Sequence, residues 1–155
     1  MVGQIALVLA TVATGLGAGL FYSFSCAVMP ALHRSDDAVR VQTMQRINTA
    51  IQNGWFLLSF GGAPLLTIAS IIADGLAGNW PRVAGEAIGL VLFGSALVIT
   101  FRINIPLNLA LDQADPADPA TAWREFETRW VRWNTARTLL TTGSLAALVS
   151  TLALT

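Results

Sequence analysis

Four long stretches of this chain carry almost no charge, and they constrain its fold more than any other feature. The first runs from Ile5 to Met29, 25 residues without a charged side chain. At 1.5 Å per residue it can cross a hydrocarbon core of about 30 Å. Three further stretches, 55–73, 83–101 and 138–154, each come close to the roughly 20 residues that a crossing needs. We therefore predict a membrane protein with four helical spans.

The composition of the 155-residue chain favours the same conclusion. Hydrophobic residues make up 54% and charged residues only 12%, whereas about a quarter of the residues of a soluble domain are charged. A soluble fold of this length would bury only about 70% of its unfolded surface, too little to hide so much apolar area. The formal net charge is zero, which argues against a nucleic-acid partner because there is no cationic surplus to displace counterions from phosphates. We expect membrane lipid to surround the chain.

Two segments between the spans have a helical period but are too polar to cross a membrane. From 36 to 52, apolar or amide residues recur at steps of three and four on one helical face: Val41, Met44, Asn48 and Ile51. From 121 to 137, an aromatic stripe predicts a helix that continues directly into the fourth span: Trp123, Phe126, Trp130, Trp133 and Arg137.

The predicted fold class is therefore all-α, an integral membrane four-helix bundle. It has one additional amphipathic helix after the first span and a helical extension before the fourth. Residues 1–155 form a single membrane domain, and the stretch 112–119, rich in Pro and Asp, is the one flexible loop.

The arginines predict how this bundle is oriented. Eight of the nine lie in the connections after the first and third spans, and Arg82 stands alone in the second connection. The positive-inside rule places the two arginine-rich connections in the cytoplasm, so both termini would lie outside.

A stripe of small residues in the first span allows another helix to approach closely. Gly15, Gly19 and Ser23 recur at steps of four. The stripe fits either packing against another span of the same chain or the seam of a homodimer.

Amide and guanidinium groups gather at the predicted cytoplasmic ends of the spans, namely Arg46, Asn48, Asn53, Asn104, Asn108, Asn134 and Arg137. Such groups are expensive at membrane depth unless they face the bundle interior or a wet cavity. With Trp130 and Trp133 nearby, they predict a polar pocket under an aromatic lid. In the alternative interpretation the amides cap helix ends and Arg137 extends to the lipid headgroups.

Three other residues carry candidate chemistry. His33 is the only histidine and can act as a proton acceptor near neutral pH, or it is merely solvated at the interface. Glu86 lies within one turn of the outer end of its span, where we expect solvation or stabilisation by the helix N-terminus. With Cys26 as the single cysteine and one histidine, the chain offers no Cys-rich or His-rich metal site, and we predict none.

Four stretches of the chain, 15–32, 44–56, 101–111 and 123–139, resemble the anthrone oxygenase-like family of small integral membrane proteins. The most specific elements are Asn-x-Pro-x-Asn, starting at Asn104, and Trp-x-x-Trp-Asn-x-x-Arg, starting at Trp130. The positions that the resemblance implies for the site are Asn48, Asn53, Asn104, Asn108, Trp130, Trp133, Asn134 and Arg137. The bacterial members of this family imply a location in the bacterial inner membrane.

The resemblance also implies an activity, the oxidation of an anthrone to an anthraquinone by dioxygen without flavin, haem or metal, so no cofactor is expected. An anthrone that loses a proton becomes an electron-rich enolate that can react with dioxygen directly. The protein then needs only to bind a flat aromatic molecule, assist deprotonation and stabilise an oxyanion.

We accordingly predict two sets of site residues. The predicted catalytic residues are His33, Asn104, Asn108 and Arg137. The predicted substrate-binding residues are Arg46, Asn48, Asn53, Trp130, Trp133 and Asn134. The base stays open between His33, Tyr22 and water. Our leading hypothesis is a membrane-embedded, cofactor-independent oxygenase-like protein that acts on a planar aromatic substrate of the anthrone or quinol type. The alternatives are a carrier or exporter of small molecules, in which Glu86 couples to protons, and a structural membrane subunit.

Overall fold

The computed structural model describes residues 2–154, and over this range the chain is helical and contains no strand. Its α-helices are α1 (Val2–Ser23), α2 (Met29–His33), α3 (Asp37–Ala50), α4 (Gly54–Leu76), α5 (Trp80–Ile99), α6 (Ile105–Asp112) and α7 (Pro119–Leu152). Two π-helical segments, Phe24–Val28 and Thr100–Asn104, connect α1 to α2 and α5 to α6 without a break. The prediction of an all-helical protein is confirmed for the described residues.

The two π segments have the same cause in the sequence. Pro30 and Pro106 are the second residues of α2 and α6. A proline ring lacks an N–H donor and clashes with the carbonyl four residues earlier in an α-helix. Those carbonyls belong to Cys26 and Arg102, which lie inside the π segments. The wider π turn makes room for the ring, so the helix continues past each proline.

The four long helices pack side by side. α1 contacts α4 and α7, and α5 contacts the same two helices, so each long helix has two long neighbours. The short helices α3 and α6 lie together at one end, against α7. At that end an apolar core joins the elements, made of Phe24, Met29, Leu32, Val41, Met44, Leu111, Trp123, Phe126 and Trp130.

The predicted inner face of the amphipathic segment is the buried one. Val41, Met44 and Asn48 on α3 are buried, and Ile51 just after the helix is half-buried. Asp36 stands at the N-cap of α3, but its side chain makes no capping hydrogen bond.

The long helices expose apolar side chains on their outer surface, and they bury polar side chains between them in addition to the apolar core. Large apolar side chains on α1, α4 and α5 are exposed, among them Leu16, Leu57, Leu65 and Val91. Hydroxyl residues are buried between helices, and their O–H groups donate to backbone carbonyls, as Thr67 does to Ala63 and Ser144 to Gly89. A surface of this kind suits lipid, because apolar side chains lose nothing there and buried polar groups must be satisfied within the protein.

Among residues 2–154, three continuous helices are long and apolar enough to cross a membrane: Val2–His33, Gly54–Leu76 and Trp80–Asp112. They contain the first three predicted spans. The fourth predicted span, 138–154, falls mainly in the C-terminal half of the 34-residue helix α7, which is not among them. Buried hydroxyl residues, among them Thr141 and Ser144, lower its hydropathy.

Helices α5 and α7 approach each other closely at two glycines that the sequence analysis did not single out. A Cβ atom on Gly89 would lie 2.8 Å from Cδ2 of Leu148, and one on Gly85 would collide with the Thr151 hydroxyl. The Ser144 hydroxyl donates to the Gly89 carbonyl at 2.7 Å. A side chain at either glycine would require Leu148 or Thr151 to shift, so the two glycines favour this close packing.

The small-residue stripe of α1 is only partly used within the chain. A Cβ atom on Gly15 would lie 3.7 Å from Leu145 of α7, whereas one on Gly19 would meet nothing within 4 Å. Gly15 therefore contributes to the packing of α1 against α7 within the chain.

A second polar cluster is buried at the end of the long helices opposite α3 and α6. The Arg82 Nε atom lies 3.0 Å from Oδ2 of Asp74. The Ser70 hydroxyl hydrogen-bonds to Oε1 of Glu86 at 2.7 Å and lies 3.1 Å from the Gly3 carbonyl. Glu86 is 0% exposed. The expectation that Glu86 is solvated is therefore wrong, because Glu86 faces α4 rather than the outer surface.

Candidate functional site

A cavity of about 360 Å³ lies at the end of the long helices where α3 and α6 pack. Its lining comes from α1, the π segments, α3, α4, α6 and α7. One wall is apolar and consists of Leu20, Phe21, Phe24, Met44, Ile47, Ile51 and Phe56, with Ile105 and Leu109 across from it on α6. A cavity of this size and lining suits a small, flat, largely apolar molecule.

A stripe of polar side chains runs along the other wall of the cavity. Thr100, Asn104, Asn108 and Asp112 all line it, and they recur at steps of four through the second π segment and α6. Thr100 and Asn104 are buried, whereas Asp112 is exposed. The stripe therefore runs from the buried end of the cavity to its exposed mouth.

Arg137 lies at the buried end of the cavity and is 5% exposed. Its Nη2 donates to Oδ1 of Asn134 at 2.9 Å, and its Nη1 donates to Oγ1 of Thr100 at 3.3 Å. The guanidinium carbon lies 4.3 Å from the centroid of the Phe21 ring and 5.4 Å from that of Trp130. The Nε atom has no hydrogen-bond partner among the described residues. A buried cation with a spare donor is well suited to an oxyanion.

Trp130 joins the aromatic stripe of α7 to the polar stripe of α6. Its Nε1 donates to Oδ1 of Asn108 at 2.8 Å, and its ring packs against Phe24 and Phe126 at centroid distances of 5.4 and 5.8 Å. Asn104 extends Nδ2 to the Trp130 carbonyl at 3.5 Å, and its Oδ1 has no partner within residues 2–154. The indole therefore holds the Asn108 amide in one orientation beside the cavity.

Five of the ten predicted site residues line this cavity: Asn48, Asn104, Asn108, Trp130 and Arg137. Asn48 is buried on α3, and its Nδ2 donates to Oδ1 of Asp112 at 3.3 Å. Asn134 stands behind the cavity wall and contacts Arg137 rather than the cavity space.

The structure does not bring the other four predicted site residues to the cavity. The His33 side chain is 69% exposed, and its Nδ1 lies 2.8 Å from Oε1 of Glu127 on α7. Arg46 is exposed on the far side of α3, and Trp133 is half-buried on α7. Asn53 caps α4, because its Oδ1 accepts from the Phe56 backbone N–H at 3.0 Å. The interpretation of amides as helix caps therefore holds for Asn53.

Two residues that the sequence analysis did not assign to the site belong to the polar wall, Thr100 and Asp112. Asp112 was placed at the start of a loop, but it is the last residue of α6. A search for polar residues at steps of four from Asn104 and Asn108, in both directions, would have found them. Tyr22, an alternative base, is 60% exposed and does not line the cavity.

The described residues contain no group of three or more His, Cys, Asp and Glu side chains placed to hold a metal ion. The functional groups that line the cavity are amides, one hydroxyl, one carboxylate, one indole and one guanidinium.

A family model described as anthrone oxygenase matches residues 55–147. The chain belongs to the anthrone oxygenase family. The match runs from α4 into α7 and so contains Asn104, Asn108, Trp130 and Arg137. The anthrone oxygenase resemblance predicted from the sequence is thus confirmed. Neither the curated proteins nor the solved structures include a significant match to the chain.

Proposed function

We propose that this member of the anthrone oxygenase family is a membrane-embedded oxygenase whose substrate is a planar aromatic molecule of the anthrone or quinol type. The substrate binds in the cavity between the apolar wall and the polar stripe, with its developing oxyanion next to Arg137. The family match and the lining of the cavity support this proposal.

The main support for the proposal is the hydrogen bonding of the buried Arg137 guanidinium. Two of its nitrogens are held by Asn134 and Thr100, yet its Nε has no partner among the described residues. A buried donor without an acceptor costs about 1–3 kcal/mol. An anionic oxygen that enters the cavity compensates the buried positive charge and accepts from the guanidinium N–H groups that Asn134 and Thr100 leave unused. The site is therefore more favourable with an oxyanion present than without one.

The chemistry needs one substrate carbon and one molecule of dioxygen. A C–H bond of the methylene opposite the carbonyl breaks, its proton leaves, and the electron pair moves onto the carbonyl oxygen as an enolate. The enolate gives electrons to dioxygen, and a C–O bond forms at the same carbon. The second C–H bond of this carbon and the O–O bond then break, a second carbonyl remains, and the outer oxygen leaves as water with the two methylene hydrogens. The methylene compound and dioxygen thus yield the quinone and water. Arg137 stabilises the enolate oxygen in a site with little water.

Asp112 is the carboxylate at the mouth of the cavity, and we assign it as the group that holds the proton until the departing oxygen takes it up as water. It lies twelve residues after Thr100, about 18 Å along an α-helix. An anthrone held at Arg137 is much shorter than this distance. Water at the mouth therefore passes the proton from the substrate to Asp112.

In this proposal α7 crosses the bilayer together with the three apolar helices and completes a four-helix bundle in the bacterial inner membrane. Four hydroxyl residues of this part of α7 are buried against other helices, so a crossing does not expose them to lipid, whereas Thr142 and Ser150 are exposed. The buried four are Thr138, Thr141, Ser144 and Thr151. The arginine-rich ends, with the cavity, then face the cytoplasm, and both termini lie outside.

Oxygen uptake by the purified protein in detergent tests the proposal, with anthrone as substrate. We expect uptake that matches anthraquinone formation. Arg137→Leu should abolish it and weaken anthrone binding by about 2–5 kcal/mol, because the oxyanion loses its charged partner. Arg132→Leu, an exposed arginine on the same helix, is the control. Normal uptake by Arg137→Leu would refute the role of Arg137.

The buried Glu86 favours a second candidate, a proton-coupled carrier, because fully buried acids often mark proton pathways in membrane proteins. Glu86 does not line the cavity and lies in the separate cluster with Asp74 and Arg82. Flux of anthrone into proteoliposomes that disappears in Glu86→Gln would support the carrier and count against the oxygenase.

A further inference from the structure

The guanidinium group of Arg137 is held by one residue of the second π segment and by one residue of α7. Thr100, the first residue of the second π segment, contacts Nη1, and Asn134, one turn before Arg137 on α7, contacts Nη2. Asn134 in turn donates to the Phe21 carbonyl and to Ser25 in the first π segment.

Asn134 has only one amide orientation that satisfies its neighbours. Its Nδ2 lies 3.0 Å from the Phe21 carbonyl oxygen and 2.9 Å from Oγ of Ser25. Both amide hydrogens are used there, so Oδ1 points the other way, towards Arg137. Rotating the amide by half a turn would set its oxygen against the Phe21 carbonyl and its NH2 against the guanidinium.

Thr100 is constrained in the same manner. Its hydroxyl hydrogen is donated to the Ala96 carbonyl at 2.8 Å, so the oxygen can only accept from Arg137. The two acceptors therefore face the guanidinium in fixed directions, and the Phe21 ring packs over its carbon.

We propose that Asn134 and Thr100 are positioning residues that set the plane of the Arg137 guanidinium. They accept one hydrogen each of Nη1 and Nη2, so that the remaining N–H donors of the guanidinium stay free for an oxyanion. Neither residue donates to the substrate, because the hydrogens of both are already used within the protein. The role of Asn134 thus differs from the direct substrate contact expected from the sequence. This inference rests on the proposed function of Arg137 as the oxyanion partner.

The two π segments give this arrangement its geometry. Each ends two residues before a proline, and Ser25 in the first and Thr100 in the second contact Asn134 and Arg137, which lie one turn apart on α7. π-helical turns often occur at functional sites. In this protein both of them contact the residues that hold one arginine.

The test uses Asn134→Ala and Thr100→Val in detergent, with Thr67→Val as the matched control. Thr67 is buried and donates to the carbonyl four residues earlier, as Thr100 does, but it lies on α4 and has no contact with Arg137. The first measurement is the Nε–H NMR signal of Arg137, identified by its loss in Arg137→Leu. The second is anthrone binding and turnover.

We expect both site variants to shift and broaden the Nε–H signal without ligand and to lower kcat for anthrone by about tenfold, as for the loss of a hydrogen bond to a charged group. Thr67→Val should change neither. An Arg137 signal that stays sharp and unshifted in both site variants would overturn the positioning role. A shifted signal with unchanged anthrone affinity and turnover would support positioning and instead count against the proposed oxygenase site.

Discussion

The indole Nε1 of Trp130 donates to Oδ1 of Asn108 at 2.8 Å, and both residues line the cavity. This bond orients the amide so that its NH2 group remains available to a ligand. It also connects α7 to α6, the two helices that carry the most specific sequence elements of the family.

Trp130→Phe should therefore weaken anthrone binding while leaving the aromatic packing largely in place. The phenyl ring can still contact Phe24 and Phe126, but Asn108 loses its donor, which costs about 1–3 kcal/mol. Titration of the protein with anthrone measures the change. Trp133→Phe is the control, because Trp133 does not line the cavity. Equal affinities for both variants would show that Asn108 does not contact the ligand.

Asp112→Asn should slow turnover and leave anthrone affinity nearly unchanged, because the proposed role of Asp112 is to accept a proton at the mouth. His33→Gln should have no effect on either quantity, since His33 is exposed and contacts Glu127 rather than the cavity. Steady-state oxygen uptake with each variant separates the two residues. If only His33→Gln slows the reaction, the proton leaves by another route and the assignment of Asp112 is wrong.

The buried pair of Arg82 and Asp74 should matter for stability. Arg82→Met leaves the Asp74 carboxylate buried without a cation and should cost about 3–5 kcal/mol. Glu86→Gln keeps an oxygen that accepts from Ser70 and should change stability little. Thermal unfolding in detergent compares the variants. A Glu86→Gln variant as unstable as Arg82→Met would mean that Glu86 depends on its charge.

The start of α7 should become less stable in acid. The Thr121 backbone N–H donates to Asp118 and, together with the Thr121 side chain and nearby Arg124, lowers the pKa of this carboxyl below its ordinary value. A lowered folded-state pKa means that the cap stabilises the helix above the unfolded-state pKa, about 4. The stabilisation is lost as the pH falls through the folded-state value.

Hydrogen exchange at the Thr121 amide, measured down to acid pH, tests this cap. Asp118→Asn retains an N-cap acceptor that does not titrate, so its protection relative to the wild type should no longer decline in acid. Asp118→Ala should lower protection at every pH. Identical pH profiles for the wild type and Asp118→Asn would show that another group controls the end of the helix.

The sequence predicted the helical class, the first three apolar segments and the inner face of α3, because each follows from runs and periods of apolar residues. It predicted five of the cavity residues because amides and guanidinium groups are rare at membrane depth and because Trp130 belongs to a regular aromatic stripe. Asp112 was not predicted as a site residue because it borders a loop rich in Pro and Asp, where an acidic residue is common. Glu86 was misjudged because depth along a helix does not tell which side of the helix faces a neighbour.

The contacts that orient the Asn134 amide could not be predicted from the sequence, for a different reason. A spacing of three on one helix brings Asn134 and Arg137 together, but the contacts of Asn134 with Phe21 and Ser25 depend on how α1 packs against α7. The two π segments could not be predicted from the sequence either. Pro30 and Pro106 indicate a local distortion of the helix. The packing of the neighbouring helices decides whether this distortion is a break, a kink or a wider turn.

Helix α7 runs unbroken through 34 residues and contains both Arg137 and Leu148. Leu148 packs directly against Gly89, and a methyl group at Gly89 would require the buried Leu148 side chain to shift. Eleven residues, roughly 17 Å along the helix, separate Leu148 from Arg137. Gly89→Ala therefore changes the contact between α5 and α7 at a distance from the cavity, and any shift of α7 that it causes is carried along the helix to Arg137.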